Sequence, residues 1–132
     1  KISNNLNQIN QRRTSHMQQV LGQISKIIGN LKDKTEQAAA AGKDVSAINK
    51  AIAVVETKWA ETDASVKAQM EKDYQVVVNK ESTVKQDAAS ARDSLRIDLK
   101  AVHTQVVETR KALAGAIQIA VSSTKGGSNG SE

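Results

Sequence analysis

The sequence predicts an all-α protein: an elongated antiparallel three-helix bundle, up-down-up, with a short extended connector between helices 2 and 3. Three observations carry that expectation. The chain of 132 residues has no proline and no cysteine, its only aromatics are Trp59 and Tyr74, and alanine alone supplies 18 residues. A sandwich or barrel needs strand-forming aromatics and turn residues at roughly 8–12-residue intervals, and neither is present. Apolar residues recur at spacings of three and four, the period of a helix with one buried face. That pattern is interrupted at two places, around residues 42–46 and 74–79.

The first helix begins near Lys1, with Ser3 or Asn4 available as a cap. Its apolar stripe reads Ile2, Leu6, Ile9, Met17, Val20, Ile24, Ile27 and Leu31 and continues to Ala38, with Arg13 as the polar intruder. Gly29-Asn30 is a weak point, but Leu31 keeps the phase, so the helix continues to Gly42. Glycine there is the residue expected at a left-handed helix end. A helix of roughly 40 residues is about 60 Å long at 1.5 Å per residue.

Asp44 opens the second helix as its N-cap, presenting a carboxylate to free backbone N–H groups. The stripe Val45, Ile48, Ile52, Val55, Trp59 and Val66, with Thr62 in line, alternates threes and fours like a coiled-coil seam. Trp59 reads as the largest core residue, and Asp63–Lys67 as a supporting i,i+4 pair. Val76, Val77 and Val78 are three consecutive β-branched residues, poor in a helix, so residues 74–79 read as an extended connector. Reversal there would place Trp59 beside Leu95 to Val102. The third helix starts near Glu81 and carries Val84, Ala88, Ala91, Leu95, Leu99, Val102, Val106, Leu113, Ile117 and Ala120. The bundle is thus expected over residues 1–121, and residues 122–132 form a flexible Gly/Ser-rich tail.

Net charge is +5, from 19 Lys/Arg against 14 Asp/Glu. Counted along the chain, residues 1–43 carry +5, residues 44–79 carry −2 and residues 80–125 carry +3. The middle third therefore complements its neighbours, and much of the charge can pair within a bundle. No run of apolar residues is long enough for a transmembrane segment. The first residue is Lys1 rather than Met, which reads as a processed mature chain or a trimmed one.

Chemistry-bearing constellations are sparse. His16 and His103 stand without a metal-ligand motif, so no metal and no cofactor are expected. Without cysteine or a Gly-rich nucleophile turn, no catalytic residue is assigned, and the chain is not expected to be an enzyme. Asp87, Asp98 and Arg13 lie close to the stripes and read as carboxylate–Arg pairs that fix helix register. Residues 1–32 hold five Lys/Arg, ten Asn/Gln and no acid, but the only doublet is Arg12-Arg13 and no aromatic stacking platform accompanies it. Nucleic acid is therefore the weaker partner. The candidate interaction residues are Arg12 and Arg13, together with Tyr74, Val76 and Val78, whose backbone would suit addition to another chain's strand edge if exposed.

Several segments share a family texture: Gln11-Arg12-Arg13 with the Met17/Val20-Leu21/Ile24 stripe, the turn Ala40 to Ser46, Tyr74 to Asn79 leading into Thr83 to Arg92, and Leu95 to Val102. Together they span most of residues 11–113. Their combination resembles uncharacterised, predicted-exported three-helix proteins of ultra-small uncultured bacteria. The resemblance implies an extracytoplasmic three-helix domain of the cell envelope or secreted, and it carries over no site residues. The expected function is a non-enzymatic structural or protein-interaction module serving as spacer or docking surface, with a protein partner or self-association. The alternative is a basic nucleic-acid-associated helical protein.

Overall fold

The computed structural model describes residues 2–75 and 84–130. Three helices account for nearly all of them: α1 (Ile2–Ala40), α2 (Ser46–Met70) and α3 (Val84–Gly130). Each helix packs against both others, giving an all-α three-helix bundle without strands among the described residues.

The first turn is built as the sequence demands. Gly42 adopts φ +88, and the N–H groups of Gly42 and Lys43 donate to the carbonyls of Ala39 and Ala38, both at 3.0 Å. These paired bonds close the end of α1, and the left-handed residue between them favours glycine. Asp44 then accepts the Ser46 amide at 3.0 Å and the Ser46 hydroxyl at 2.6 Å. Those bonds hold its carboxyl below the usual range. The first intrahelical bond runs from Asn49 N–H to the Val45 carbonyl, so Val45 and not the expected Asp44 is the N-cap of α2; Asp44 sits one residue earlier and its carboxylate binds Ser46.

The buried positions follow one rule in all three helices. In α1, after Leu6, they are Asn10, Thr14, Met17, Leu21, Ile24, Ile28, Leu31 and Thr35, in steps of four and three from Asn10 on. In α2 the same alternation runs Ile48, Ile52, Val55, Trp59, Thr62, Val66 and Gln69, with Trp59 half-buried. In α3 it runs Leu95, Leu99, Val102, Val106, Thr109, Leu113 and Ala116. A repeat of 3.5 residues keeps a seam facing its partners when helices coil left-handedly about each other.

This register revises three expectations. Ile9 and Ile27 stand exposed on α1, where Asn10 and Ile28 hold the adjacent seam positions, and Leu21 replaces the half-buried Val20. The reason is that Asn10, Thr14 and Thr35 occupy seam positions, so a stripe traced through apolar residues alone drifts onto the flank. Ile117 of α3 leaves the core in the same way, replaced by Ala116. Trp59 is not a fully enclosed core residue: its ring packs on the core edge while Nε1–H donates to the Leu21 carbonyl at 2.7 Å. An indole with a polar partner at its rim settles there readily.

The helices also meet at a different level from the one expected. The Thr62 and Thr109 hydroxyls are hydrogen-bonded at 2.8 Å, so Trp59, nearly a turn before Thr62 on antiparallel α2, lies beyond Thr109 rather than beside Leu95 to Val102. Lys72 and Tyr74, just past the end of α2, reach Asp98. The first turns of α3 therefore run past the end of α2, where Leu6, Ala88 and Leu95 are buried. At the far end the backbone of α3 stays helical to Gly130, through residues that composition assigns to a tail, while Ala120 is the last residue packed on the core among those described.

Candidate functional site

Two places gather side chains in a way the bundle alone does not require. One is a polar cluster where α2 ends. Gln69 Nε2 donates to Asn10 Oδ1 at 2.9 Å and to the Tyr74 hydroxyl at 2.6 Å. Asn10 Nδ2 returns a bond to the Gln69 carbonyl at 2.9 Å. The Tyr74 hydroxyl donates to Asp98 Oδ2 at 2.5 Å, and Lys72 Nζ reaches the same oxygen at 3.2 Å. Asn7 Oδ1 accepts the Tyr74 backbone N–H at 2.8 Å, and Gln11 Nε2 donates to the Met70 carbonyl at 2.9 Å. Burial and the Asp98 bond push the Tyr74 phenol up to about 12.

This cluster joins all three helices and the start of the connector. Its polar atoms serve each other: no buried side-chain N or O lacks a partner among the described residues. Polar groups at seam positions fix register, because any slip leaves them buried and unpaired. The cluster therefore acts as a lock on the fold. Tyr74 is only 7% exposed, so its side chain serves the interior instead of offering itself to another chain. Val76 and Val78 lie outside the described residues. Asp98 takes Tyr74 and Lys72 as partners in place of the expected arginine.

Arg12 and Arg13 are exposed on α1 and form no ion pair among the described residues. Arg12 borders a shallow polar depression with Asn4, Asn7, Gln8 and Gln11. His16 and His103 are also exposed, and no group of three His, Cys, Asp or Glu is placed to hold a metal ion among the described residues.

The second place is an apolar groove of about 450 Å³ between α1 and α3, at the end of the bundle nearest the Gly42 turn. Its walls are Ile27, Leu31 and Ala38 from α1 and Ile117, Ala120 and Val121 from α3, and Ile48 of α2 lies at its base. Asn30, Lys34 and Thr35 supply the polar atoms. Ile27, Ile117 and Val121 are 41%, 38% and 53% exposed. A single exposed isoleucine is unremarkable, but several sharing one groove mark a surface suited to another apolar face. The sequence reading missed this site because it placed both Ile27 and Ile117 in the core. The signal that finds it is the polar residue at a seam position, Asn10 or Thr14, which shifts the stripe of α1 by one residue.

No family model, curated protein or solved structure matches this chain.

Proposed function

We propose that this protein is a non-enzymatic structural or protein-interaction module of the cell envelope or exterior, with the bundle as spacer and the α1–α3 groove as its docking surface. The observation that carries this reading is the exposure of Ile27 and Ile117 on facing walls of one groove. Burying that surface against a partner is favourable at about 25 cal/mol per Å² of apolar area. A rigid support suits such a surface, and the Asn10–Gln69–Tyr74–Asp98 lock supplies rigidity at the other end. The extracytoplasmic placement draws on the resemblance to exported three-helix proteins.

A photo-reactive side chain at position 117, compared with one at Thr57 on exposed α2 surface, tests the reading in cells that make the protein. A discrete protein adduct from position 117 alone is expected. Equal adducts from both positions, or none, would contradict docking at the groove. Exposed Arg12 and Arg13 favour the second reading, binding to nucleic acid. That reading requires affinity for duplex DNA that falls steeply with salt, as phosphate contacts impose.

A further inference from the structure

We propose that the α1–α3 groove accepts an amphipathic helix with acidic flanks, which joins the bundle as a fourth helix. This rests on the groove being a docking surface and goes on to name the partner's chemistry. Lys34 and Ile27 line the α1 wall, and stepping back by sevens along the same edge gives Val20 and Arg13. Ile117 lines the α3 wall, and the same steps give Arg110, His103 and Arg96. In a left-handed bundle a seven-residue step returns to one edge of the helix. The two edges that flank the groove thus carry isoleucine at one end and Arg13, Arg96 and Arg110 farther along, with Lys34 beside the isoleucines and no acid at any of these steps.

Those cations are largely unanswered. Arg13, Lys34 and Arg110 make no ion pair among the described residues, and Arg96 meets only Asp93 on its own helix at 3.4 Å. The other surfaces differ. Lys58, Glu61 and Glu108 share the α2–α3 side, and Lys32 pairs with Glu56 across α1 and α2 at 3.0 Å. Edges that run from isoleucine into cations ask for a partner helix that is apolar where it meets Ile27 and Ile117 and carries carboxylates on the flanks that meet Lys34, Arg110 and Arg13, the pattern of a helix laid in a groove. A second copy of this chain would bring the same cations face to face. A phosphate backbone would satisfy the cations and leave Ile27, Leu31 and Ile117 against water.

The test uses two synthetic peptides of about three heptads, identical in their leucine stripe, one flanked by glutamate and the other by lysine. A fluorescein-labelled random DNA duplex is the third probe, and fluorescence anisotropy gives the affinities. The glutamate peptide is expected to bind at least about tenfold tighter than the lysine peptide at low salt and to weaken as salt screens the flanks. Ile117→Lys should weaken it by about tenfold although it adds a cation, because the apolar wall is lost. Arg110→Glu should weaken the glutamate peptide and strengthen the lysine one. Equal binding of both peptides, abolished by Ile117→Lys, would overturn the acidic partner while leaving the docking groove intact. Tighter binding by Ile117→Lys would reduce the attraction to bulk charge and overturn both. Duplex binding stronger than either peptide and indifferent to Ile117→Lys would overturn the proposal in favour of nucleic acid. Failure of both peptides would overturn the docking reading itself.

Discussion

Tyr74→Phe isolates one atom of the lock. The hydroxyl it removes accepts from Gln69 Nε2 at 2.6 Å and donates to Asp98 Oδ2 at 2.5 Å. A hydrogen bond to a charged group contributes about 1.5–3 kcal/mol, and an unpaired buried donor costs about 1–3 kcal/mol. Gln69 keeps its bond to Asn10 and Asp98 keeps Lys72, so the losses are only partly cumulative. The expected destabilisation near neutral pH is about 2–3 kcal/mol. A pH series adds an independent signature. The folded phenol titrates at about 12 against an ordinary value of 10.0. A raised value means that its contribution is complete below pH 10 and is lost as pH climbs through 12. At about 1.36 kcal/mol per unit, the loss is on the order of 2–3 kcal/mol. Urea unfolding followed by circular dichroism at neutral pH and at intervals up to about pH 11.5 measures both effects. Wild type should exceed Tyr74→Phe at pH 7, with the gap narrowing above pH 10. Stabilities within about 0.5 kcal/mol of each other at pH 7, with a gap independent of pH, would refute the lock.

Three further substitutions probe the frame. Trp59→Ala should destabilise by about 2–3 kcal/mol, below the 3–5 kcal/mol of a fully buried ring, since the indole is half-buried and bonded to Leu21; thermal melts give the value. Thr62→Val alone should cost about 1 kcal/mol by removing the bond to Thr109, yet the Thr62→Val/Thr109→Val pair should be neutral or stabilising, and a double-mutant cycle reads the difference. Gly42→Ala should cost about 1 kcal/mol because φ +88 strains any Cβ, although open space surrounds the site; chemical denaturation measures it.

The helices were legible because their signals are local. Gly42 and the periodicity of α2 each act within a few residues and appear in the structure where the sequence places them, whereas Asp44 binds Ser46 from one residue before the N-cap, Val45. The phase of α1 was hidden because hydrophobicity marks most seam positions and not all of them. Asn10, Thr14 and Thr35 are buried by virtue of partners that are distant in sequence or of bonds back to their own helix. The level at which α2 meets α3 depends on how far the chain travels before turning, and a run of β-branched residues says where a helix weakens without fixing that distance. Tyr74 shows the same limit: its burial follows from Gln69 and Asp98 converging on one hydroxyl, which no spacing announces. The groove followed from the corrected phase, since Ile27 and Ile117 become surface residues only once Ile28 and Ala116 are recognised as core.

The groove exists only if α1 and α3 lie side by side with Lys34 near Ile117. The chain contains no cysteine, so spin labels at Lys34→Cys and Ile117→Cys report one distance without background. Pulsed electron paramagnetic resonance should give a separation on the order of 10–20 Å, as for labels on neighbouring packed helices. A helix running unbroken from Ser46 through Ile117 would instead hold the labels roughly 100 Å apart, and a distribution lacking the short distance would contradict the bundle and its groove together.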